Sequence, residues 1–322
     1  MTVSIALCTY NGEKFIREQI GSYLTQTVLP DEIIVCDDGS SDDTVSIVRQ
    51  YLEANKGIKW QLIQNEKTLG TNKNFEKAVG FCSGDFIFFS DQDDVWRNEK
   101  IEQTISFFNK NRECEAIFSN AILIDENGKE LPDSLLDLTF FESDIRGKYK
   151  IDDLLYWSIL LGNIMTGATM AIRRSALRVI LPFQLNLKRK LWYDGWIGFS
   201  LMSTNCVGFI DQTLTKYRLH AGQQVGVARV KDSFERYIMR GEYREDLLKE
   251  YFQRYLFAFS VLQNLKAAVA VPSPVDNRIS NEYLAQKKKY FKSQSFVTRK
   301  LRLLKWFLRG SNYISFKDLV TL

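Results

Sequence analysis

Through the first 125 residues, short β-branched and apolar runs alternate with helix-length stretches, and each apolar run stops at a cluster of polar or acidic residues. This alternation is the pattern of βαβ units wound around a mostly parallel sheet. Strands are expected at Val3–Cys8, Glu32–Asp37, Lys59–Gln64, Asp85–Ser90 and Ala116–Ile124. Helices fit between them at Glu13–Leu24, Asp43–Ala54, Asn72–Cys82 and Arg97–Asn109, the second opening after a Ser/Asp-rich stretch suited to capping. Open α/β sheets bind ligands outside the carboxyl ends of their strands, so the polar clusters there hold the candidate site.

Beyond Gly128 the pattern loosens, then resumes as a helix near Asp152–Leu161, a strand near Thr169–Ile172, a helix near Tyr193–Met202 and a strand near Cys206–Asp211. Lys231 to about Lys266 has helical spacing, and Pro272-Ser273-Pro274 breaks it. No internal repeat is present, which sets repeat architectures aside. Leu154–Ile172 runs without a charge, close to the length of a membrane span, but Gly162, Asn163, Thr166, Gly167 and Thr169 make it too polar for hydrocarbon. A buried helix followed by a buried strand is expected there.

Charge divides the chain. The 43 basic and 39 acidic residues give a formal +4, but Gln286–Leu322 alone holds ten basic residues and one acidic one. The body is therefore slightly acidic, and its basic end suggests an anionic partner for that end alone. Five widely spaced cysteines, several inside apolar runs, suit buried thiols in a reducing compartment and make neither a disulfide frame nor a zinc spacing. No basic stretch precedes the first apolar run, so a signal peptide is not expected.

The sharpest local feature is Ser90-Asp91-Gln92-Asp93-Asp94-Val95-Trp96, three carboxylates in four residues after a strong apolar strand. Crowded like charges call for a cation, and hard oxygens suit Mg²⁺ or Mn²⁺ shared with substrate phosphates. The same residues would also make a solvated acidic turn in which Asp93 or Asp94 caps the next helix. A second cluster, Asp37-Asp38-Gly39-Ser40-Ser41-Asp42-Asp43, follows the second strand and suits either nucleoside recognition or a turn with an N-cap. The first strand ends in Cys8-Thr9-Tyr10-Asn11-Gly12, which has neither the glycines of a dinucleotide fold nor the lysine of a P-loop. A sugar nucleotidyltransferase needs a Gly-rich, Arg-bearing loop at this place, and Cys8–Glu13 is not one.

Taken in order, Thr9-Tyr10-Asn11, Val35–Asp42, Asn65–Asn74 and Ser90–Trp96 resemble the family 2 glycosyltransferases of the GT-A fold, most closely the bacterial rhamnosyltransferase-like branch. The resemblance spans about residues 1–225. It implies a Rossmann-like, mostly parallel sheet in a glycosyltransferase domain over 1–230, with a nucleotide-sugar half to about 125 and an acceptor half over 126–230. A helical C-terminal region with a basic amphipathic tail would occupy 231–322.

The resemblance also implies roles. Asp38 would bind the pyrimidine base, in a pocket lined by Thr9, Tyr10 and Asn11; Asn74 would approach the nucleotide. Asp93 matches the direct metal ligand, and Asp91 the ribose or metal-water contact. Thr166 and Gly167 fall in the segment lining the acceptor side. Trp192-Tyr193-Asp194-Gly195-Trp196 is similar to the family's H-D-W-W-like motif, with Asp194 as catalytic base and Trp196 among the acceptor contacts. Tyr193 stands where His is usual, and Gly195 where an aromatic is usual. Tyr217-Arg218-Leu219-His220 matches a Y-R-x-H element, which implies metal or diphosphate contacts for Arg218 and His220 and a loop over 221–229 that closes on the donor. His220, the single histidine, suits a structural role equally well.

The implied reaction is inverting, metal-dependent transfer from dTDP-rhamnose, or alternatively a UDP-hexose, to a cell-surface polysaccharide precursor linked to polyprenol. A catalytically silent sugar-nucleotide-binding scaffold is the alternative from another class. In the tail, Val297, Leu301, Leu304 and Leu308 share one helical face with basic residues interleaved, the make-up of a helix lying on an anionic membrane. That would place the protein in the cytoplasm, peripheral on the inner face of the cell membrane. The same helix would also serve packing on the body or in a homodimer; no nucleic-acid-binding module accompanies the charge.

Overall fold

A computed structural model describes residues 1–139, 141, 151–184, 191–204, 206–223 and 248–292. Among the described residues nine strands form one sheet: β1 (Val3–Thr9), β2 (Glu32–Asp37), β3 (Lys59–Gln64), β4 (Phe86–Ser90), β5 (Val95–Trp96), β6 (Ala116–Ile124), β7 (Glu130–Ser134), β8 (Met170–Arg173) and β9 (Val207–Arg218). Their order is β3-β2-β1-β4-β8-β6-β9-β5, with β7 on β6. The helices are α1 (Ile16–Leu24), α2 (Thr44–Ala54), α3 (Thr71–Phe81), α4 (Lys100–Lys110), α5 (Ile151–Leu161), α6 (Leu177–Ile180), α7 (Tyr193–Met202), α8 (Leu248–Ala268) and α9 (Ser273–Lys292).

Alternation along the strands builds two cores, because successive side chains point to opposite faces. Val3, Ile5, Leu7, Ile33, Val35, Phe86 and Phe88 face one way, against Ile16, Ile20 and Tyr23 of α1, Ile47 and Val48 of α2, and Ile101 and Phe108 of α4. Ala6, Cys8, Ile34, Cys36, Ile87 and Phe89 face the other, against Phe75, Ala78 and Val79 of α3. That second core runs on without interruption through α5, α7, α8 and α9, taking in Tyr255, Ala258, Leu262 and Ile279. The C-terminal helices therefore share the core of the sheet instead of standing apart from it.

The five strands expected in the first 125 residues form, as do the four helices. Leu154–Ile172 becomes the end of α5, a connecting turn and most of β8, both elements buried. Among the described residues no helix is long and apolar enough to cross a membrane. The strand expected over Cys206–Asp211 extends to Arg218, with register shifts against β6 near Ser119–Ala121 that bend it over the site. Of the helix expected from Lys231, residues 231–247 lie outside the described residues, and α8 accounts for the rest. The break at Pro272-Ser273-Pro274 is a turn into α9, whose first turn accommodates Pro274 where a backbone donor is dispensable. Val275, Ile279, Tyr283 and Gln286 of α9 are buried. Lys287–Lys289 and Lys292 thus belong to a helix packed on the body, and the face marked by Val297, Leu301, Leu304 and Leu308 lies outside the described residues.

Candidate active site

Parallel register sets Thr9, Asp37 and Gln64 side by side, with Ser90 beside Leu7, so the loops after four strands meet at one edge. β8 runs antiparallel to β4 and therefore brings the residues before it, Thr166–Thr169, to that same edge. β9, parallel to β6, delivers Tyr217 and His220 there. The result is a cleft of about 1190 Å³ lined by Thr9, Tyr10, Asn11, Asp38, Asn74, Asp91, Asp93, Thr166, Gly167, Asp194 and His220 among others. Of the expected site residues, Arg218 and Trp196 do not line it.

On the nucleotide side, the turn and the ligand-facing roles of the second acidic cluster fall to different residues. Asp37 accepts from Thr9 Oγ1 at 2.7 Å and from the Gly39 and Ser40 N–H groups, an Asx turn. Asp42 accepts from the N–H of Thr44 at the start of α2. Asp38 faces the cleft. Its Oδ1 accepts from Asn65 Nδ2 at 2.9 Å and Leu69 N–H at 2.7 Å, its Oδ2 from Gly70 N–H at 2.8 Å. Three of the roughly four acceptor positions of a carboxylate are thereby used to shape the 65–70 loop. Asn74 accepts from Asn65 and donates to the Cys36 carbonyl, which fixes the pocket wall. Tyr10 is 44% exposed, and the Gln92 side chain grips its backbone from both sides, accepting from Tyr10 N–H at 2.8 Å and donating to its carbonyl at 3.0 Å. A Cβ on Gly12 would come within 2.2 Å of Gln92 Oε1, so this grip needs the glycine. Asn11, at φ 48°, accepts from Ser41 N–H.

The three carboxylates after β4 separate in the same way. Asp93 Oδ2 lies 2.8 Å from His220 Nε2. His220 Nδ1 lies 3.2 Å from the Gly222 N–H, which orients the ring toward Asp93. Asp94 turns inward, 2% exposed, and its Oδ1 accepts from Arg218 N–H; burial and the neighbouring Asp93 raise its pKa. Asp91 has no hydrogen-bond partner for its carboxylate among the described residues, and burial, followed by repulsion from Asp93, Asp94 and Asp194, raises its pKa well above the usual range.

Arg218 departs from expectation. It is fully buried, donating through Nε to the Asp93 carbonyl at 2.8 Å and through Nη2 to Glu18 at 2.5 Å, with its guanidinium 4.8 Å from the centre of the Phe15 ring. It braces the acidic loop from behind and does not line the cleft. Lys100, which a sequence reader would place on a solvated helix start, is also buried. Its Nζ donates to the Ala168 carbonyl at 2.6 Å and Thr215 Oγ1 at 2.8 Å and lies 4.1 Å from the centre of the Trp96 ring. Burial pulls its pKa down to about 7 against the attraction of Asp94 and Asp91.

A divalent cation fits this donor set in a particular way. Among the described residues no three His, Cys, Asp or Glu side chains converge as a ready-made cage. Asp93 and His220 do converge, and Asp91 offers a half-buried carboxylate with no hydrogen-bond partner among the described residues. One or two protein ligands completed by substrate phosphates is how Mg²⁺ is ordinarily held, and an imidazole in the set is compatible with Mn²⁺.

Asp194 lies in the first turn of α7. Burial pushes its carboxyl up to about 6, although N–H groups of Gly195 at 2.7 Å and Gly167 at 3.3 Å stabilise the charge. Tyr193 stacks on Phe75 at 3.9 Å, and a Cβ on Gly167 would come within 1.8 Å of its hydroxyl. Trp196 is 1% exposed and donates Nε1–H to the Ile180 carbonyl, one α-helical turn beyond Trp192 and facing the core. Of this motif's aromatics, Trp192 and Tyr193 line the cleft. Gln92, Asn72, Lys100 and Arg254 were not marked by the sequence, since their polar side chains carry no spacing that distinguishes them from surface residues.

Residues 4–181 match glycosyl transferase family 2. An uncharacterized glycosyltransferase of Haemophilus influenzae is 30% identical over 70% of this chain and 68% of its own length. The UDP-Glc:alpha-D-GlcNAc-diphosphoundecaprenol beta-1,3-glucosyltransferase WfgD of Escherichia coli is 29% identical over 81% of this chain and 92% of its own. The dTDP-rhamnosyl transferase RfbG of Shigella flexneri is 32% identical over 68% and 73%. Among solved structures, S. aureus TarS in complex with UDP-GlcNAc superposes with a TM-score of 0.58 at 18% identity, covering 94% of this chain and 79% of that one. The mannosyltransferase PcManGT from Pyrobaculum calidifontis, in complex with GDP-Man and Mn²⁺, gives 0.51 at 14% identity, covering 98% and 83%. The chain belongs to glycosyl transferase family 2 and has the GT-A fold; it is a transferase enzyme.

Proposed function

We propose that this enzyme is an inverting, divalent-metal-dependent glycosyltransferase that moves rhamnose from dTDP-rhamnose onto a polyprenyl-linked precursor of a cell-surface polysaccharide. The observation that carries the reading is that Asp194, a half-buried carboxylate whose pKa is pushed up to about 6, shares one cleft with the Asp91, Asp93 and His220 cluster. A base for the acceptor and a centre for the leaving diphosphate are the two things glycosyl transfer needs together.

In this reading Asp38, held by the 65–70 loop, accepts from the base, and Thr9, Tyr10, Asn11 and Asn74 form the wall around the nucleoside. Asp93 and His220 would hold the cation, with Asp91 at the ribose or at a metal-bound water; when bound, the cation neutralises charge on the departing diphosphate. Asp194 accepts the proton of the acceptor hydroxyl, a contribution of about 10²–10⁴-fold in such reactions. Thr166, the Gly167 backbone and Trp192 flank that hydroxyl. Displacement from the face opposite the leaving group inverts the anomeric centre.

RfbG supports dTDP-rhamnose as donor; WfgD supports a second reading with a UDP-hexose. The WfgD name also supports a lipid-diphosphate-linked acceptor, which the basic tail would meet at the cytoplasmic membrane surface, as a monomer or a homodimer. Nucleotide release from a panel of dTDP- and UDP-sugars, with Mg²⁺ or Mn²⁺ and with acceptor, tests the proposal. Turnover with dTDP-rhamnose is the expected result, turnover confined to a UDP-sugar selects the second reading, and binding without turnover on any donor identifies a silent scaffold.

A further inference from the structure

Lys100 is a buried cation that the reaction described above does not use. It is the first residue of α4 and 1% exposed, with its Nζ over the Trp96 ring. A cation gains nothing at that end of a helix, where the peptide dipoles present their positive pole. Burying an ammonium is also costly unless it is hydrogen-bonded. Among the described residues its hydrogen-bond partners are the Ala168 carbonyl at 2.6 Å and Thr215 Oγ1 at 2.8 Å. Strand register sets Thr215 beside Trp96, and the Thr215 hydroxyl donates in turn to the same Ala168 carbonyl at 3.2 Å.

Ala168 lies inside the turn from Thr166 to Thr169, which is closed by the Thr169 N–H and hydroxyl, both donating to the Thr166 carbonyl at 2.9 Å. The turn is held on two sides. Lys100 and Thr215 take its Ala168 carbonyl, and its Gly167 N–H reaches Asp194 Oδ2 at 3.3 Å. That length is at the outer edge of a useful N–H···O bond, so a retreat of a few tenths of an ångström would lose it. Lys100 itself does not line the cleft, so any part it takes in the reaction passes through another residue.

We propose that Lys100 is a positioning residue for the base: by anchoring the Ala168 carbonyl it holds the turn where the Gly167 N–H stays on the Asp194 carboxylate. Without the ammonium the turn is freed and Asp194 loses a donor that stabilises its charge, so a carboxyl already raised by burial rises further. The inference rests on the glycosyl-transfer reading for the role of Asp194 as base and adds the residue that aims it. The ionisable groups that interact with Asp194 are Asp91, Tyr193 and Tyr217, and Lys100 attracts Asp91 and Asp94, so its charge alone offers a second route to Asp194. Thr215 separates the two routes, because it shares the anchor and carries no charge.

The test reads Asp194 directly, by carbon NMR of the full chain labelled with ¹³Cγ-aspartate; its resonance is the one that disappears in Asp194→Asn. Wild type should titrate at about 6. Lys100→Met, which keeps the aliphatic stem, should lower the acid dissociation constant of Asp194 about threefold or more, equivalent to half a pKa unit. Thr215→Val, of the same shape, should move it in the same direction by less, and calorimetric affinity for UDP or dTDP with Mn²⁺ should be unchanged in both. An unmoved Asp194 in a cooperatively folded Lys100→Met overturns the inference. So does a shift in Lys100→Met with none in Thr215→Val, which assigns the effect to charge. If Lys100→Met does not fold, Thr215→Val decides: a raised Asp194 sustains the anchor and an unmoved one overturns it. Failure of wild type to bind either nucleotide, with the titration shifts present, removes the transferase reading and leaves the anchoring of Asp194 standing.

Discussion

The side chain of Asn72, in the first turn of α3, accepts the N–H of Tyr193 at 2.8 Å and donates to the Leu191 carbonyl at 2.9 Å. Tyr193 is the first residue of α7, and the helix has no side-chain cap of its own at Trp192. A residue of α3 therefore fixes the start of the helix that carries Asp194. Replacing Asn72 with alanine removes a cap-like contact, at about 1 kcal/mol of stability, and leaves Asp194 less firmly aimed. The expected outcome is a fall in kcat of about tenfold with unchanged nucleotide affinity, read by steady-state kinetics and nucleotide titration; an equal loss in both would assign Asn72 to the nucleotide pocket alone.

Titration of Asp194 sets a pH profile. Its carboxyl must be ionised to act as a base, and burial places its pKa at about 6. kcat/KM should therefore rise with pH through about 6 and level off above it. Stability moves in the opposite sense, because the folded pKa is raised above the ordinary 3.8. Below that value the carboxyl is protonated in both states; above about 6 it is ionised in the fold at a cost on the order of 3 kcal/mol. Asp194→Asn should abolish turnover and raise the melting temperature at pH 7.5. Retained turnover in that variant would remove Asp194 from the role of base.

Gly167 is a close-approach position. An added Cβ would meet the Tyr193 hydroxyl at 1.8 Å, and that ring is buried and packed against Phe75 and Phe89, with little room to retreat. Gly167→Ala should cost about 1–3 kcal/mol by chemical denaturation and displace the Gly167 N–H from Asp194. The acid limb of the pH profile should then shift upward as that hydrogen bond to the ionised carboxylate is lost.

On the proposed function, Asp93 and His220 would carry the metal dependence. Excess EDTA should stop turnover, and added Mn²⁺ or Mg²⁺ should restore it. His220→Ala should raise the Mn²⁺ concentration for half-maximal activity by about tenfold or more, by analogy with losses seen around other metal sites. Full activity of the wild type in EDTA would leave the His220–Asp93 pair a structural contact.

The membrane role proposed for the tail is tested by truncation, and α9 decides where to cut. Removal after Asn281 would strip Tyr283 and Gln286 from the core, whereas removal after Lys292 leaves α9 intact. The shorter chain should keep its folding cooperativity and lose co-sedimentation with anionic liposomes; unchanged sedimentation would assign the charge to another partner.

Much of the donor half is legible from sequence because its strands alternate and its loops carry their chemistry in consecutive residues. Thr9 to Asn11, Asp38 and Asp91 to Asp93 reach the cleft as a direct result of parallel strands ending at one edge. Two residues expected at the site from motif position do not line the cleft. Trp196 and Arg218 lie in short motifs beside functional residues, but the α-helical period turns Trp196 into the core and the bent end of β9 turns Arg218 behind the acidic loop.

Sequence by itself determined the α/β alternation, the edge at which a ligand would sit, and the carboxylates grouped there, since each depends on residues near one another in the chain. Tertiary structure decided which of those carboxylates faces the cleft, that Asn72 aims α7, that Lys100 and Arg218 support the acidic loop from within, and that Arg254 enters from a helix outside the matched segment. These depend on side chains up to 200 residues apart, as in the Arg218–Glu18 pair, meeting through a sheet whose strand order and direction are settled by packing. Local pattern carries periodicity and turn chemistry; burial and partner choice exist only once the distant surfaces are in contact.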